Sequence, residues 1–120
     1  MSDFLLIYEG GDANWADNLT PEEVQAVMEQ WGAWFERLEK SGNLRSPGNA
    51  LAPGGAVLTS NGDRIDTDRA LPEVKELIGG FSVIAAESLD EAIEIARGGP
   101  FLANNPGASV IVRPVLEMDR

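Results

Sequence analysis

The chain has 120 residues, 9 basic against 20 acidic side chains, a net charge of −11 and neither histidine nor cysteine. Without imidazole or thiol there can be no Ser-His-Asp triad, no Cys-His nucleophile, no zinc site of the usual ligands and no disulfide. The acidic balance opposes nucleic acid and anionic membrane surfaces, whose attraction comes largely from Lys and Arg.

A hydrophobic content of 43% with 24% charged residues fits one ordinary folded domain over 1–120. Met1 to Glu9 carries an acid at position 3 and no basic leader, and no apolar run approaches the roughly 18 residues of a membrane span. With the cysteines absent, the expectation is a cytoplasmic protein.

Phe4 to Glu9 reads as a buried strand ended by the turn residues Gly10-Gly11-Asp12. Thr20-Pro21-Glu22-Glu23 combines a capping hydroxyl, proline at the first helical position and glutamate three residues after the cap, so a helix starts there. Its apolar residues Val24, Val27, Met28, Trp31, Trp34, Phe35 and Leu38 recur at helical spacing, and Lys40 and Gly42 suit its end. Leu44 to Pro53 contains Pro47, Gly48 and Pro53, which predicts an irregular or edge strand. Ala56 to Ile65 reads as a hairpin, with Asn61-Gly62 expected to form a type I′ turn. After a polar stretch from Asp66 to Glu76, Phe81 to Ala86 reads as a central strand. Ser88-Leu89-Asp90-Glu91 repeats the capping pattern and opens a short helix that stops at Gly98-Gly99-Pro100. Ser109 to Leu116 closes the chain as a strand in which Pro114 must take an end or an edge. The order β-α-β-hairpin-β-α-β predicts an α+β, ferredoxin-like split βαβ fold with an inserted β-hairpin. Two helices on one face would leave the other face of the sheet in need of cover, as a homodimer would supply.

Several of these stretches together resemble a known family. Thr67 to Glu76, Gly79-Gly80-Phe81, Ser88-Leu89-Asp90-Glu91-Ala92 and Val112-Arg113-Pro114-Val115 occur in the order and spacing of the YCII-related proteins, in particular their DGPF branch. Leu5 to Glu9 and Thr20 to Glu23 extend the likeness over nearly the whole chain. The resemblance implies a homodimer joined sheet to sheet into a dimeric α/β barrel. This sequence keeps Asp68 of the branch's signature but continues with Arg69-Ala70-Leu71, and it carries Phe101 and Ile111 where relatives often have histidine and glutamate. A His-Asp acid–base pair, proposed within the wider family, cannot form here.

The candidate site residues follow from what polar chemistry remains. Asp68 is the acid–base candidate, because a carboxylate in a partly apolar cleft can have its pKa raised. Arg113, set among valines and isoleucine, is a candidate clamp for a ligand's negative charge or a partner for an acid. Arg69 and Phe101 complete the expected ligand-binding set. Asp63, Asp66 and Asp68, with Glu73, are a conceivable Mg²⁺ or Ca²⁺ cluster, although the spacing matches no calcium loop and reads better as a solvated hairpin end. Trp31, Trp34 and Phe35 read as core or interface, and the paired glycines match no phosphate-binding pattern. The expected function is binding of a small anionic or aromatic molecule in a cleft, with no cofactor and no transition metal. The alternative is a cofactor-free lyase or isomerase of the muconolactone-isomerase or dehydrochlorinase type, with Asp68 moving a proton.

Overall fold

Alternation along the first strand sets the two faces of the sheet. In β1 (Ser2–Glu9), Phe4, Leu6 and Tyr8 point to one side and are buried, while Leu5 and Ile7 point to the other and are half-buried. The computed structural model describes residues 1–11, 14–69 and 78–118. Strand β1 lies between β5 (Ile78–Ala86) and β6 (Ser109–Pro114), and β2 (Leu44–Ala50) pairs with the far side of β5. All three pairings are antiparallel, giving the order β2-β5-β1-β6. This is the ferredoxin-like arrangement expected from the element order, with β5 central and β6 at an edge that tolerates Pro114 at its last position.

Helix α1 (Pro21–Ser41) begins and ends as its sequence dictates. Thr20 Oγ1 accepts from the Glu23 N–H and the Glu23 carboxylate accepts from the Thr20 N–H, both at 3.1 Å. Gly42 caps the other end at φ +83. The helix lays Trp34 and Leu38 on Phe4, Leu6, Tyr8, Ile84 and Ala86 of the sheet, and α2 (Leu89–Arg97) adds Ala92 and Ala96. Leu6 and Ile84 are wholly buried, and burial of such side chains stabilises by about 2 kcal/mol each.

Three local expectations change in detail. The hairpin of β3 (Val57–Ser60) and β4 (Ile65–Asp68) forms as a separate two-stranded sheet. Its turn centres on Gly62-Asp63, because the Asn61 N–H donates to the Arg64 carbonyl and only Gly62 has positive φ, at +72. That sign pattern is of the II′ kind, which needs glycine at one position and spares Asn61 the left-handed conformation a I′ turn would demand. At α2, Ser88 caps the Glu91 N–H, but the Glu91 carboxylate accepts from Asn43 at 3.2 Å, tying the end of α1 to the start of α2. Finally, Pro100 does not end the helical structure. It opens a further turn, α3 (Pro100–Asn104), with Gly99 before it, a position where a Cβ would press within 3.1 Å of the Trp34 ring.

Candidate functional site

On the helix side, at the end of the sheet where β1 and β2 finish, α1, α3 and the segment before α1 stand away from the strands. They enclose a cavity of about 800 Å³. Its aromatic wall is continuous. The Tyr8 ring meets Trp31 edge-on at 5.4 Å and Phe101 at 5.0 Å, and Trp31 continues to Phe35 at 5.6 Å. Trp15 also lines this space. Trp34 turns from Trp31 into the core instead.

The opposite wall is backbone, and the sequence of β2 explains why. Ser46 pairs with Val83 and Asn49 with Phe81, so Pro47 and Gly48 together oppose the single residue Ser82. This is a bulge, made where proline supplies no N–H to a ladder and glycine adopts φ +71. Space requires the glycine as much as conformation does, since a Cβ at Gly48 would overlap the Phe81 carbonyl. The bulge releases the Pro47 carbonyl from strand pairing and turns it toward Ser82, whose hydroxyl donates to it at 2.8 Å. The Tyr8 phenol donates in turn to the Ser82 oxygen, also at 2.8 Å. Burial pushes the Tyr8 phenol up to about 12, and the Ser82 hydroxyl, able to turn toward a phenolate, offsets part of that rise.

Three polar side chains elsewhere on the wall bond within the protein. Glu23 holds the start of α1, the Asn105 amide donates to the Phe101 carbonyl at 2.8 Å, and the Asn104 amide donates to Gln30 and to the Pro100 carbonyl. No lysine or arginine among the described residues lines the cavity.

Of the four residues singled out from sequence, only Phe101 reaches this space. Asp68 closes β4 in the exposed hairpin, and Arg69 follows it, also exposed. Arg113 lies on β6 opposite Leu5, on the face away from the helices, as does Ile111, whereas Val110 and Val112 pack toward the core. Asp68 and Arg113 therefore belong to different sheets and neither lines the aromatic cavity, and Phe101 and Ile111 lie on opposite faces of the four-stranded sheet. Arg113 makes no ion pair among the described residues. Asp66 pairs with Arg64 at 3.4 Å, and no three carboxylates among the described residues converge to hold a cation. Glu73 and Ala70 to Leu77 lie outside the described residues.

Sequence reading missed Tyr8 and Ser82. The signal was present: each is the one hydroxyl-bearing side chain inside an apolar strand core, Leu5-Leu6-Ile7-Tyr8 and Phe81-Ser82-Val83-Ile84. What the sequence lacked was the register that sets one behind the other.

A model of the YCII-related domain matches residues 1–119. No curated protein matches the chain. Among solved structures, the chain is similar to 5-chloro-2-hydroxyhydroquinone dehydrochlorinase from Burkholderia phenoliruptrix, in complex with 2,5-dihydroxybenzoquinone. The two are 21% identical, with 92% of this chain and 90% of that one covered at a TM-score of 0.40.

Proposed function

The chain belongs to the YCII-related family, and from that premise we propose that it binds a small aromatic molecule in the cavity between α1 and the end of the sheet. The observation that carries this reading is the continuous aromatic wall of Tyr8, Trp31, Phe35 and Phe101 around about 800 Å³, a volume typical of ligand sites. Flat rings stack and pack edge-on against such a wall. Aromatic character is favoured over negative charge, because Glu23 is the charged group on the wall and no cation faces it among the described residues.

The working unit in this proposal is a cytoplasmic homodimer. Leu5, Ile7, Phe81, Val83 and Ile111 fall on the sheet face that the helices leave open, and a second copy of that face would cover it in a barrel. Among the described residues no helix is long and apolar enough to cross a membrane. The acid–base alternative, with Asp68 moving a proton and Arg113 holding an anion, would use a site other than the aromatic cavity, which neither residue lines.

Equilibrium dialysis against 2-methoxynaphthalene tests the binding. The native protein should take up one molecule per chain, saturably. Val27→Trp, which fills the cavity from α1, should remove the uptake while the circular-dichroism spectrum and melting remain those of a folded protein. Unaltered uptake by folded Val27→Trp, or no saturable uptake by the native chain of either this probe or 2-naphthol, overturns the assignment.

A further inference from the structure

The two hydrogen bonds that link Tyr8, Ser82 and Pro47 have only one consistent direction. The Pro47 carbonyl carries no proton, so at 2.8 Å the hydrogen between it and Ser82 must be the Ser82 hydroxyl's own. Were that proton turned toward Tyr8, two oxygen lone pairs would face each other at hydrogen-bond distance inside the fold, with the Pro47 carbonyl left unsatisfied. With its proton spent on Pro47, Ser82 can only accept from Tyr8, so the proton at 2.8 Å between them is the phenol's. Tyr8 has then used its single donor. Its oxygen retains lone pairs, and no N–H or O–H among the described residues donates to them.

We propose that Tyr8 acts as a fixed hydrogen-bond acceptor in the wall of the cavity, and that the site selects aromatic molecules bearing a hydroxyl or N–H donor over those bearing only acceptors. The inference rests on the cavity being the ligand site. It specifies which ring substituent the site recognises, and it assigns the recognition to a residue that the Pro47-Gly48 bulge orients through Ser82. The direction is held from a distance: Pro47 fixes Ser82, and Ser82 fixes Tyr8. A ligand acceptor placed against the Tyr8 oxygen would meet lone pairs, and desolvating it there without a donor would cost affinity.

The same dialysis with a matched pair, 2-naphthol and 2-methoxynaphthalene, reads the selection. The native protein should bind 2-naphthol about fivefold more tightly, the ratio that one net neutral hydrogen bond supplies. Tyr8→Phe should reduce that preference to about one, weakening 2-naphthol and relieving the cost to 2-methoxynaphthalene. Ser82→Ala, which frees the phenol proton, should narrow the preference by tightening 2-methoxynaphthalene, whose oxygen can now accept from Tyr8. This gain separates a directional role from mere damage to the wall. Equal binding of the pair by native protein, or a preference that survives Tyr8→Phe, overturns the acceptor assignment while the cavity stands. Saturable binding of neither probe overturns both readings.

Discussion

Two glycines with nearly the same φ isolate the role of the bulge. Gly48 has φ +71 and Gly62 has φ +72, so replacing either by alanine carries a conformational penalty on the order of 1 kcal/mol. Their surroundings differ completely. Nothing lies within 4 Å of the Cβ that Gly62 would gain, whereas the Gly48 Cβ would overlap the Phe81 carbonyl oxygen and carbon. That carbonyl belongs to a central strand and cannot retreat without disturbing the pairing of β5 with β1. Gly48→Ala must therefore push β2 off the sheet edge or distort the bulge, and about 4 kcal/mol or more is expected, in the range reserved for backbone overlap and lost core contacts. Guanidinium unfolding of the native, Gly62→Ala and Gly48→Ala proteins, followed by tryptophan emission, should separate the two variants by about 3 kcal/mol. Because Gly48 also forms the cavity wall, uptake of 2-methoxynaphthalene should fall in Gly48→Ala and persist in Gly62→Ala. Equal destabilisation of the two variants, within about 1 kcal/mol, would refute the argument from space.

Tyr8 makes a pH prediction whose sign follows from its raised pKa. The fold favours the neutral phenol, so its contribution is fully present below pH 10 and is lost as pH rises toward about 12. A rise of that size corresponds to roughly 2–3 kcal/mol, and the stability difference between native and Tyr8→Phe proteins should shrink by about that amount between pH 9 and pH 12; a constant difference would contradict it. Light scattering at micromolar concentration should give twice the chain mass of 12.9 kDa, and Ile7→Glu, on the open face, should shift it toward one chain. A native mass of one chain would remove the barrel. Asp68→Asn, at an exposed position in the hairpin, should change stability by less than about 0.5 kcal/mol and leave dialysis of 2-methoxynaphthalene unaltered; weakened uptake would bring Asp68 to the ligand site.

Legibility in the sequence followed the range of the interactions. The start and end of α1 could be read because every participant lies within four residues: Thr20, Pro21 and Glu23 at one end, Gly42 at the other. The strand order was equally accessible, since a run of β-α-β-hairpin-β-α-β leaves few ways to close one sheet. Ser88 met its local partner, but Glu91 did not, because Asn43, 48 positions earlier, competes for its carboxylate. The aromatic cavity was hidden for the same reason, since its walls come from residues far apart in sequence. Asp68 and Arg113 were singled out as polar residues with apolar neighbours in sequence, a pattern that finds hydroxyls and charges on either face of a sheet without saying which face is concave. The alternation of β6 carries Val110 and Val112 inward, which sends Arg113 outward, and that phase is readable only once the strand's first inward residue is known.

The cavity itself arises from a conflict between two strong local preferences. An unbroken ladder along β2 would bring its side chains against the helix-side surface of β5 and fill the space under α1. Proline at 47 denies the ladder a donor, and glycine at 48 absorbs the extra residue through positive φ. The backbone then occupies the wall where side chains would have stood. Gly80 extends the thin region, for a Cβ there would come within 2.8 Å of the Asn49 carbonyl. On the other side large rings are used, so that α1 is held away from the strands by Trp31 and Phe35 and the gap opens toward Phe101. A site formed this way couples recognition to stability: the bulge that leaves room for a ligand is also what fixes the direction of the Tyr8 proton. A substitution that straightens β2 should therefore remove the space and the selectivity together, whereas one that alters only Tyr8 should remove the selectivity alone.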